Sequence, residues 1–198
     1  MYEYLDRVLK TLVRQIYDAF SSFRRLPFDE LHIVEEMHDF YEKLEGINLE
    51  AYTKIANYYY RRESQTKKLL GTKWVDGVLR TPSEVMKYAY DSETVRKRDR
   101  LLEALVATNG SVAEIDKAMR YWTQMTGWFA VEVADQAVAQ AREDIGVNEV
   151  MWCSEHDNKV CDHCWKLNGQ VFDTDAIPPK PHPNCRCWTV DVGRVVQW

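Results

Sequence analysis

All five cysteines of this chain lie within its last 46 residues. They are Cys153, Cys161, Cys164, Cys185 and Cys187. Their number is odd, and the first ten residues, MYEYLDRVLK, lack the pattern of a secretion signal, so a disulfide framework is disfavoured. The clustering instead predicts a metal site in a cytosolic protein. It also requires the C-terminal segment to fold around its sulfur atoms.

The composition of the 198 residues excludes several classes of protein. Hydrophobic residues make up 45% and charged residues 29%, which is incompatible with a mainly disordered chain. No apolar run approaches the roughly 18 residues that a membrane-spanning helix needs, so we expect no membrane partner. The formal charge of −5 and the pI of about 5.6 exclude a nucleic-acid polycation, and any contact with DNA must therefore be local.

From the start of the chain to about Gly146, apolar residues recur at steps of three and four, which is typical of amphipathic helices. The first three predicted helices cover residues 5–23, 31–44 and 49–71. Pro27 breaks the first helix, and Gly46 is the predicted stop of the second. Residues 72–80 show no clear periodicity and are predicted as a loop.

Two further helix starts carry a capping box, in which an N-cap hydroxyl is followed three residues later by a glutamate. They are Thr81-Pro82-Ser83-Glu84 and Ser111-Val112-Ala113-Glu114. The second start leads into an apolar stripe that is predicted to kink at Thr126-Gly127. A helix from about Trp128 to Asp144 then follows.

Beyond Gly146 the sequence predicts short strands over 147–153 and 170–172, separated by turns. Four of the six prolines fall within 177–183, so this stretch must be an extended loop. A β-rich tail of this length cannot build a core alone and needs a staple. The predicted fold class is therefore mainly α: a helical body of about six or seven helices with a small C-terminal metal-stapled β-hairpin module.

The staple is predicted from the spacing of the cysteines and one histidine. Cys161-x-x-Cys164 is followed, after a hairpin-sized gap, by His182-x-x-Cys185-x-Cys187, which is a pattern typical of tetrahedral structural Zn²⁺ sites. His182 and Cys187 compete for the fourth place. Four good ligands close the coordination shell, and no catalytic constellation accompanies them, so we predict no enzyme activity.

Two other interpretations of the cysteines stay open. The Cys161–Cys164 pair resembles the loop of a disulfide oxidoreductase, but that chemistry expects a preceding strand and a following helix, and an Asn168-Gly169 turn follows here. The cysteines are also compatible with buried free thiols. Cys153 has no partner at ligand spacing and is predicted to be a packed thiol. Of the nearby histidines, His156 is expected to be solvated and His163 to point away from a metal.

The tail also resembles a known family, the phage head morphogenesis domain of the Mu F type, which comprises minor head proteins of tailed bacteriophages. The resemblance covers roughly residues 110–192. The residues that carry it are Trp152, Asp157, Val160-Cys161-Asp162-His163-Cys164, Leu167-Asn168-Gly169-Gln170-Val171-Phe172 and His182-Pro183-Asn184-Cys185-Arg186-Cys187. The family commonly has aspartate where Asn168 stands. The family also commonly has two prolines directly before the residue that precedes the histidine. In this chain Lys180-Pro181 intervenes, which changes the position from which His182 would reach a metal.

This resemblance implies a structural minor capsid protein that is present in the virion, in the head interior or at the portal vertex, and in the host cytoplasm during assembly. The implied partners are the portal protein and the major capsid or scaffolding proteins. The implied roles are procapsid assembly, DNA packaging or ejection. The implied domains are a variable helical region over 1–110, which is a candidate for portal or capsid docking, and a head morphogenesis domain over 111–198. The zinc-knuckle-like module occupies about 147–192 of the latter.

Two segments of the helical half are candidate contact surfaces. The first is Tyr58-Tyr59-Tyr60-Arg61-Arg62, where three consecutive tyrosines cannot share one helix face, so at least one must be exposed. The second is the basic run Arg96, Lys97 and Arg98. The module is acidic, so any contact with packaged DNA is expected from the helical half.

Two competing functions are weighed against the capsid role. One is a zinc-ribbon protein that binds nucleic acid and is unrelated to capsids. The other is a metal-dependent hydrolase or nuclease, for which the sequence offers few candidate acids or bases.

Overall fold

The helices and strands are taken from a computed structural model, which describes residues 3–23, 30–80, 112–178, 180–181 and 185–193. Four longer helices form the helical body: α1 Glu3–Phe23, α2 Glu30–Ser64, α3 Thr72–Arg80 and α4 Val112–Asp144. The C-terminal part contains β1 Glu149–Cys153, the short helix α5 Asp162–Leu167, β2 Val171–Asp173, a 3-10 turn Thr174–Ala176 and β3 Trp188–Asp191. The mainly helical fold class with a small C-terminal sheet is thus confirmed.

The hydrophobic core of the body lies between α2 and α4, the two longest helices, which form its most extensive contact. The predicted stripe of α1 packs onto them, and Leu5, Leu12 and Ile16 are almost completely buried. From α4, Met119, Val133 and several alanines enter the same core. Among the described helices, none combines the length and apolar composition that crossing a lipid bilayer requires.

Two predictions for α2 are wrong. Gly46 does not stop a helix, because α2 runs without interruption from Glu30 to Ser64 and joins the predicted second and third helices. A glycine inside a helix costs only about 1 kcal/mol relative to alanine, whereas burial of Leu44 and Ile55 on the two sides of Gly46 favours one continuous helix. The helix ends at Ser64 and not near residue 71, as predicted. The residue that follows it, Gln65, has a positive φ of 55°.

The loop predicted over 72–80 is the helix α3. Val75 and Leu79, one helical turn apart, are buried against the core, and this pair was too short a signal to register as a period. Farther along, α4 begins directly after Ser111 and runs through Thr126-Gly127 as one helix to Asp144, so no separate helix starts at Trp128. The predicted start at Thr81 lies outside the described residues.

The C-terminal strands form one antiparallel sheet in the order β2-β1-β3. Two of them match the predicted strands to within two residues, and β3 was not predicted. Val150 pairs with Phe172 of β2 and with Asp191 of β3, so β1 is the central strand. The module is therefore a three-stranded sheet, one strand more than the expected hairpin.

One buried arginine joins the sheet to the helical body. The Arg142 side chain, on the last turn of α4, is only 6% exposed, and its Nε donates to Oε1 of Glu63 on α2 over 2.8 Å. The same guanidinium donates to the Thr189 carbonyl of β3 over 2.9 Å and to the Thr189 hydroxyl. The planar fork of an arginine suits such simultaneous contacts. Arg142 thus fixes the sheet to two helices at once.

A second buried pair lies near the first. Lys180, which is 7% exposed, places its Nζ 2.7 Å from Oδ2 of Asp135 on α4, and the same Nζ donates to the Cys185 carbonyl over 3.5 Å. Glu132, one turn before Asp135, is 4% exposed, and its Oε1 has no hydrogen-bond partner among the described residues. Burial, and secondarily the charge of Asp135, raises the pKa of Glu132 to about 7.

We expect Arg142→Met to loosen the sheet from the helices, because it leaves Glu63 and the Thr189 carbonyl without their partner. The free energy of unfolding should fall by about 3 kcal/mol, as for other broken buried ion pairs. Urea denaturation followed by circular dichroism measures this loss. Arg120→Met, at an exposed position of the same helix, is the matched control, and equal small losses for both variants would contradict the role of Arg142.

We expect Glu132→Gln to change how stability depends on pH. The folded carboxyl keeps its proton to a higher pH than the unfolded one, so its contribution is present below about pH 4.5 and is lost as the pH rises through about 7. The wild type should lose up to about 3 kcal/mol across this window relative to the variant. Urea denaturation at several pH values tests this, with Glu149→Gln on β1 as an exposed control. Parallel curves for wild type and Glu132→Gln would contradict it.

Candidate metal centre

The cysteines approach one another from two segments of the module. Cys161 is the N-cap of α5, and its Sγ accepts a hydrogen bond from the Cys164 amide over 3.4 Å. Cys164 lies in the first turn of the same helix, and Cys185 and Cys187 lie in the extended segment that leads into β3. The residues between the first two cysteines form the start of this short helix.

Three sulfur atoms form a close cluster. The Sγ atoms of Cys164, Cys185 and Cys187 lie within 4.8 Å of one another, and those of Cys164 and Cys185 are 3.6 Å apart. Tetrahedral zinc with Zn–S bonds of about 2.3 Å holds its sulfurs about 3.8 Å apart. The donor set and the spacing of these thiols therefore fit a metal ion such as zinc.

Cys161 stands at the edge of this cluster. It is not one of the three mutually close sulfurs, although its side chain interacts with that of Cys164 as well as with the Cys164 amide. Its partial exposure contrasts with the burial of the other three. Of the two residues predicted to compete for one place, the structure brings Cys187 into the cluster, whereas His182 lies outside the described residues.

The centre of the module contains little apolar material. Its fully buried members are Trp152 and the three clustered cysteines. Partly buried apolar side chains surround them, including Leu167 and Phe172. Burial of Trp152 and of Val150 on β1 is a small apolar gain for three short strands and several loops, which must offset their loss of conformational entropy. The sulfur cluster therefore occupies the position at which a staple is physically required.

The surroundings of the cluster favour neutral thiols in the absence of a cation. Burial raises the pKa of Cys164, and it raises the pKa of Cys185 to about 11. A bound divalent cation reverses this effect, because it stabilises the thiolates directly. The helix that the oxidoreductase interpretation expects after the first cysteine is present as α5. No disulfide links any of the five cysteines, all of which are described.

Ser154 positions two of the cysteines. Its Oγ donates to the Cys164 carbonyl over 2.7 Å and lies 3.4 Å from the Cys187 Sγ. Its backbone amide donates to Oδ1 of Asn168 over 2.8 Å. The side chain at position 168 therefore acts as a hydrogen-bond acceptor, and an aspartate would supply the same oxygen. Hydrogen-bonding residues next to metal ligands, as Ser154 is here, orient the ligands in other proteins.

Two motif residues join the loops that carry the ligands. Arg186 donates to Oδ1 of Asp157 over 2.7 Å, which ties the segment between Cys185 and Cys187 to the loop before α5. This contact, together with a hydrogen bond from the Lys159 amide, lowers the pKa of Asp157 to about 2. Both side chains of the pair are about four-tenths exposed, so its contribution to stability is small.

Cys153 and the two nearby histidines stand apart from the cluster. Cys153 is half-buried on β1, and burial raises the pKa of its thiol. His156 and His163 are exposed, and His156 makes an edge contact with the exposed Trp165.

The predicted tyrosine and arginine segment lies at the end of α2. Tyr59 and Tyr60 are buried, while Tyr58 is 38% exposed and stacks on Tyr4 of α1 with ring centroids 3.8 Å apart. Arg61 and Arg62 are exposed. The second candidate surface, Arg96, Lys97 and Arg98, lies outside the described residues.

The sequence interpretation missed the charged residues that join the module to the body. They are Glu63, Glu132, Asp135, Arg142 and Lys180. A signal was present for Glu132, which lies three residues after Phe129 and therefore on the apolar face of its helix. A carboxylate at such a position is a candidate for a buried pair or a binding site.

Comparison with known families assigns the segment that contains this centre. A family model described as phage Mu protein F like protein matches residues 93–190, which include α4 and all five cysteines. No curated protein and no solved structure matches the chain. The matched segment begins upstream of the boundary expected at residue 111. The chain belongs, through residues 93–190, to the phage Mu protein F-like family of phage head morphogenesis proteins.

Proposed function

We propose that this protein is a structural minor capsid protein that associates with the portal vertex of a tailed phage. It acts in procapsid assembly, DNA packaging or ejection. The observation that carries this proposal is the family match over residues 93–190. The ordered cysteine motif of that segment folds into a module that is fixed to α4 by the buried Arg142 and Lys180 contacts. An arrangement of this kind supports a docking protein better than an enzyme.

We further propose that the module holds one structural Zn²⁺. Cys164, Cys185 and Cys187 supply three thiolates, and Cys161, whose side chain already interacts with that of Cys164, supplies the fourth. Bound zinc would supply the attraction that holds the ligand segments together, which the small apolar centre of the module does not. The three clustered cysteines are at most 5% exposed, as is typical of the closed ligand shell of a structural zinc.

The charge of the module supports a protein partner more than a nucleic-acid partner. Of its basic residues, Lys180 is paired with Asp135 and Arg186 with Asp157, so their charges are already neutralised. Four thiolates around one Zn²⁺ add further negative charge. Contact with packaged DNA, where it occurs, is therefore expected from the helical half, and the partners that we propose for the protein are the portal and the major capsid or scaffolding proteins.

The zinc proposal predicts the effect of removing ligands. Protein purified without chelators should contain one zinc per chain by elemental analysis, and Cys164→Ser and Cys185→Ser should each lose it. Their modules should become sensitive to protease, while the α1–α4 core stays helical by circular dichroism, because its apolar stripes pack independently of the sulfurs. Cys153→Ser is the control and should keep the metal. Zinc-free wild type that melts unchanged would overturn the proposal.

The fourth ligand has its own test. We expect Cys161→Ser to weaken zinc binding by at least about tenfold, and His182→Ala to leave it nearly unchanged. Competition with a chromogenic chelator measures both affinities. The reverse order of effects would assign the place to His182.

The capsid role is tested in particles. In cells that produce the portal and the capsid proteins, the full chain should co-purify with the portal oligomer and be detected in procapsids. Arg62→Ala and Tyr58→Ala, on the exposed end of α2, should weaken this association if that surface docks, whereas Lys54→Ala should not. Absence of the protein from both procapsids and virions would contradict the proposed function.

A further inference from the structure

A cavity of about 360 Å³ lies where the cysteine module meets α2 and α4. Its walls include three aromatic residues, Tyr59, Trp152 and Trp188, and apolar residues such as Ile177. Seven charged residues also contribute to the lining. Cavities of this size that combine apolar walls with polar groups are typical of small-ligand sites. We call it the interface cavity.

The buried positive charges of the interface cavity already have partners. Lys180 is paired with Asp135, and Arg142 with Glu63, as described above. The third basic residue of the lining, Arg62, is exposed to solvent, where its charge attracts ligands weakly. An anionic ligand would therefore find no buried cation that is not already neutralised.

Glu132 differs from these residues. It lines the interface cavity and is 4% exposed. Its Oε1 makes no well-formed hydrogen bond among the described residues, although the Trp128 side chain and the charge of Lys180 lie close enough to favour the carboxylate. A buried carboxylate oxygen without a partner costs free energy that a cationic donor would recover. The raised pKa of Glu132 has the same origin, because burial opposes its ionised form.

A second unpartnered atom lies in the same walls. The indole Nε1 of Trp152 is buried and has no acceptor among the described residues. A ligand that carries a cationic donor for Glu132 and a hydrogen-bond acceptor for this indole would match both groups. The aromatic walls add favourable contacts for a cation and for a short aliphatic chain.

We propose that the interface cavity binds one alkylammonium or guanidinium group, with the Glu132 carboxylate as its counter-ion. The group belongs to a free amine or to a lysine or arginine side chain. A neighbouring cavity of about 520 Å³ shares Gln136, Ala139, Thr174 and Asp175 with the first and extends along α3, which leaves room for the chain that carries such a group. This inference does not depend on the capsid role.

The test uses the full chain with its metal content as purified and three probes at constant ionic strength. The probes are n-butylammonium, n-butylguanidinium and N-acetyl-lysine N-methylamide, and neutral n-butanol is the control. The indole N–H resonances of Trp152 and Trp188 should shift saturably with the cationic probes and not with n-butanol. Tighter binding of the lysine derivative than of n-butylammonium would identify a peptide side chain as the natural source, and equal binding would identify a free amine.

Variants assign the binding to Glu132. A charge-assisted hydrogen bond contributes roughly 1.5–3 kcal/mol, so Glu132→Gln should weaken binding by about tenfold or more. Glu149→Gln, at an exposed position of β1 outside the lining, should change it by less than about twofold. Absence of saturable shifts in the wild type, or equal binding by Glu132→Gln, would overturn the proposal.

A second measurement avoids the variants. The carboxyl ¹³C resonance of Glu132 should titrate at a lower pH when n-butylammonium is saturating, because a cation stabilises the ionised carboxylate. Asp135 and Lys180, the charged neighbours of Glu132, are present in both titrations, so they cannot produce the difference. An unchanged midpoint would also overturn the proposal.

Discussion

The most demanding feature of the C-terminal module is its buried cluster of cysteine sulfurs, which a bound cation would stabilise. Its centre contains one fully buried tryptophan and three buried cysteines, and burial raises the pKa of two of these thiols. Without a cation, this centre gains little from burial and has few apolar contacts to offset the ordering of its loops. With a cation, the same thiols become strong ligands, and the segments around Cys164 and Cys185 are joined at one point.

Helix α4 connects this module to the rest of the molecule. One face of it contributes Met119 and Val133 to the helical core, and its last turns present Asp135 and Arg142 to the module. Lys180 contacts both sides, since its ammonium group meets Asp135 and the Cys185 carbonyl. The contacts of Lys180 therefore link the segment that carries Cys185 directly to α4. In the capsid role that we propose, the module and the helical body would act as one docking unit.

Local patterns predicted much of the fold, and long-range contacts explain the failures. The apolar stripe of α1 and the capping box at Ser111 were sufficient to predict helix α1 and the start of helix α4, because each pattern depends on residues close together in the sequence. The stop at Gly46 failed because packing of α2 along its whole length outweighs the weak preference of one glycine. The partner of Lys180 could not be predicted, since Asp135 lies in a different element and far away in the sequence. For the candidate site, the spacing predicted Cys161, Cys164 and Cys185, with Cys187 and His182 competing for the fourth place. Only the three-dimensional arrangement shows that the sulfurs of Cys164, Cys185 and Cys187 are mutually close.

We propose that a single zinc ion, held by cysteine sulfurs, organises the module. X-ray absorption at the zinc edge of the purified full chain tests this most directly, because it reports the atoms bound to the metal. We expect a shell of four sulfur atoms at about 2.3 Å. A shell dominated by nitrogen or oxygen, or the absence of zinc from folded protein, would contradict it.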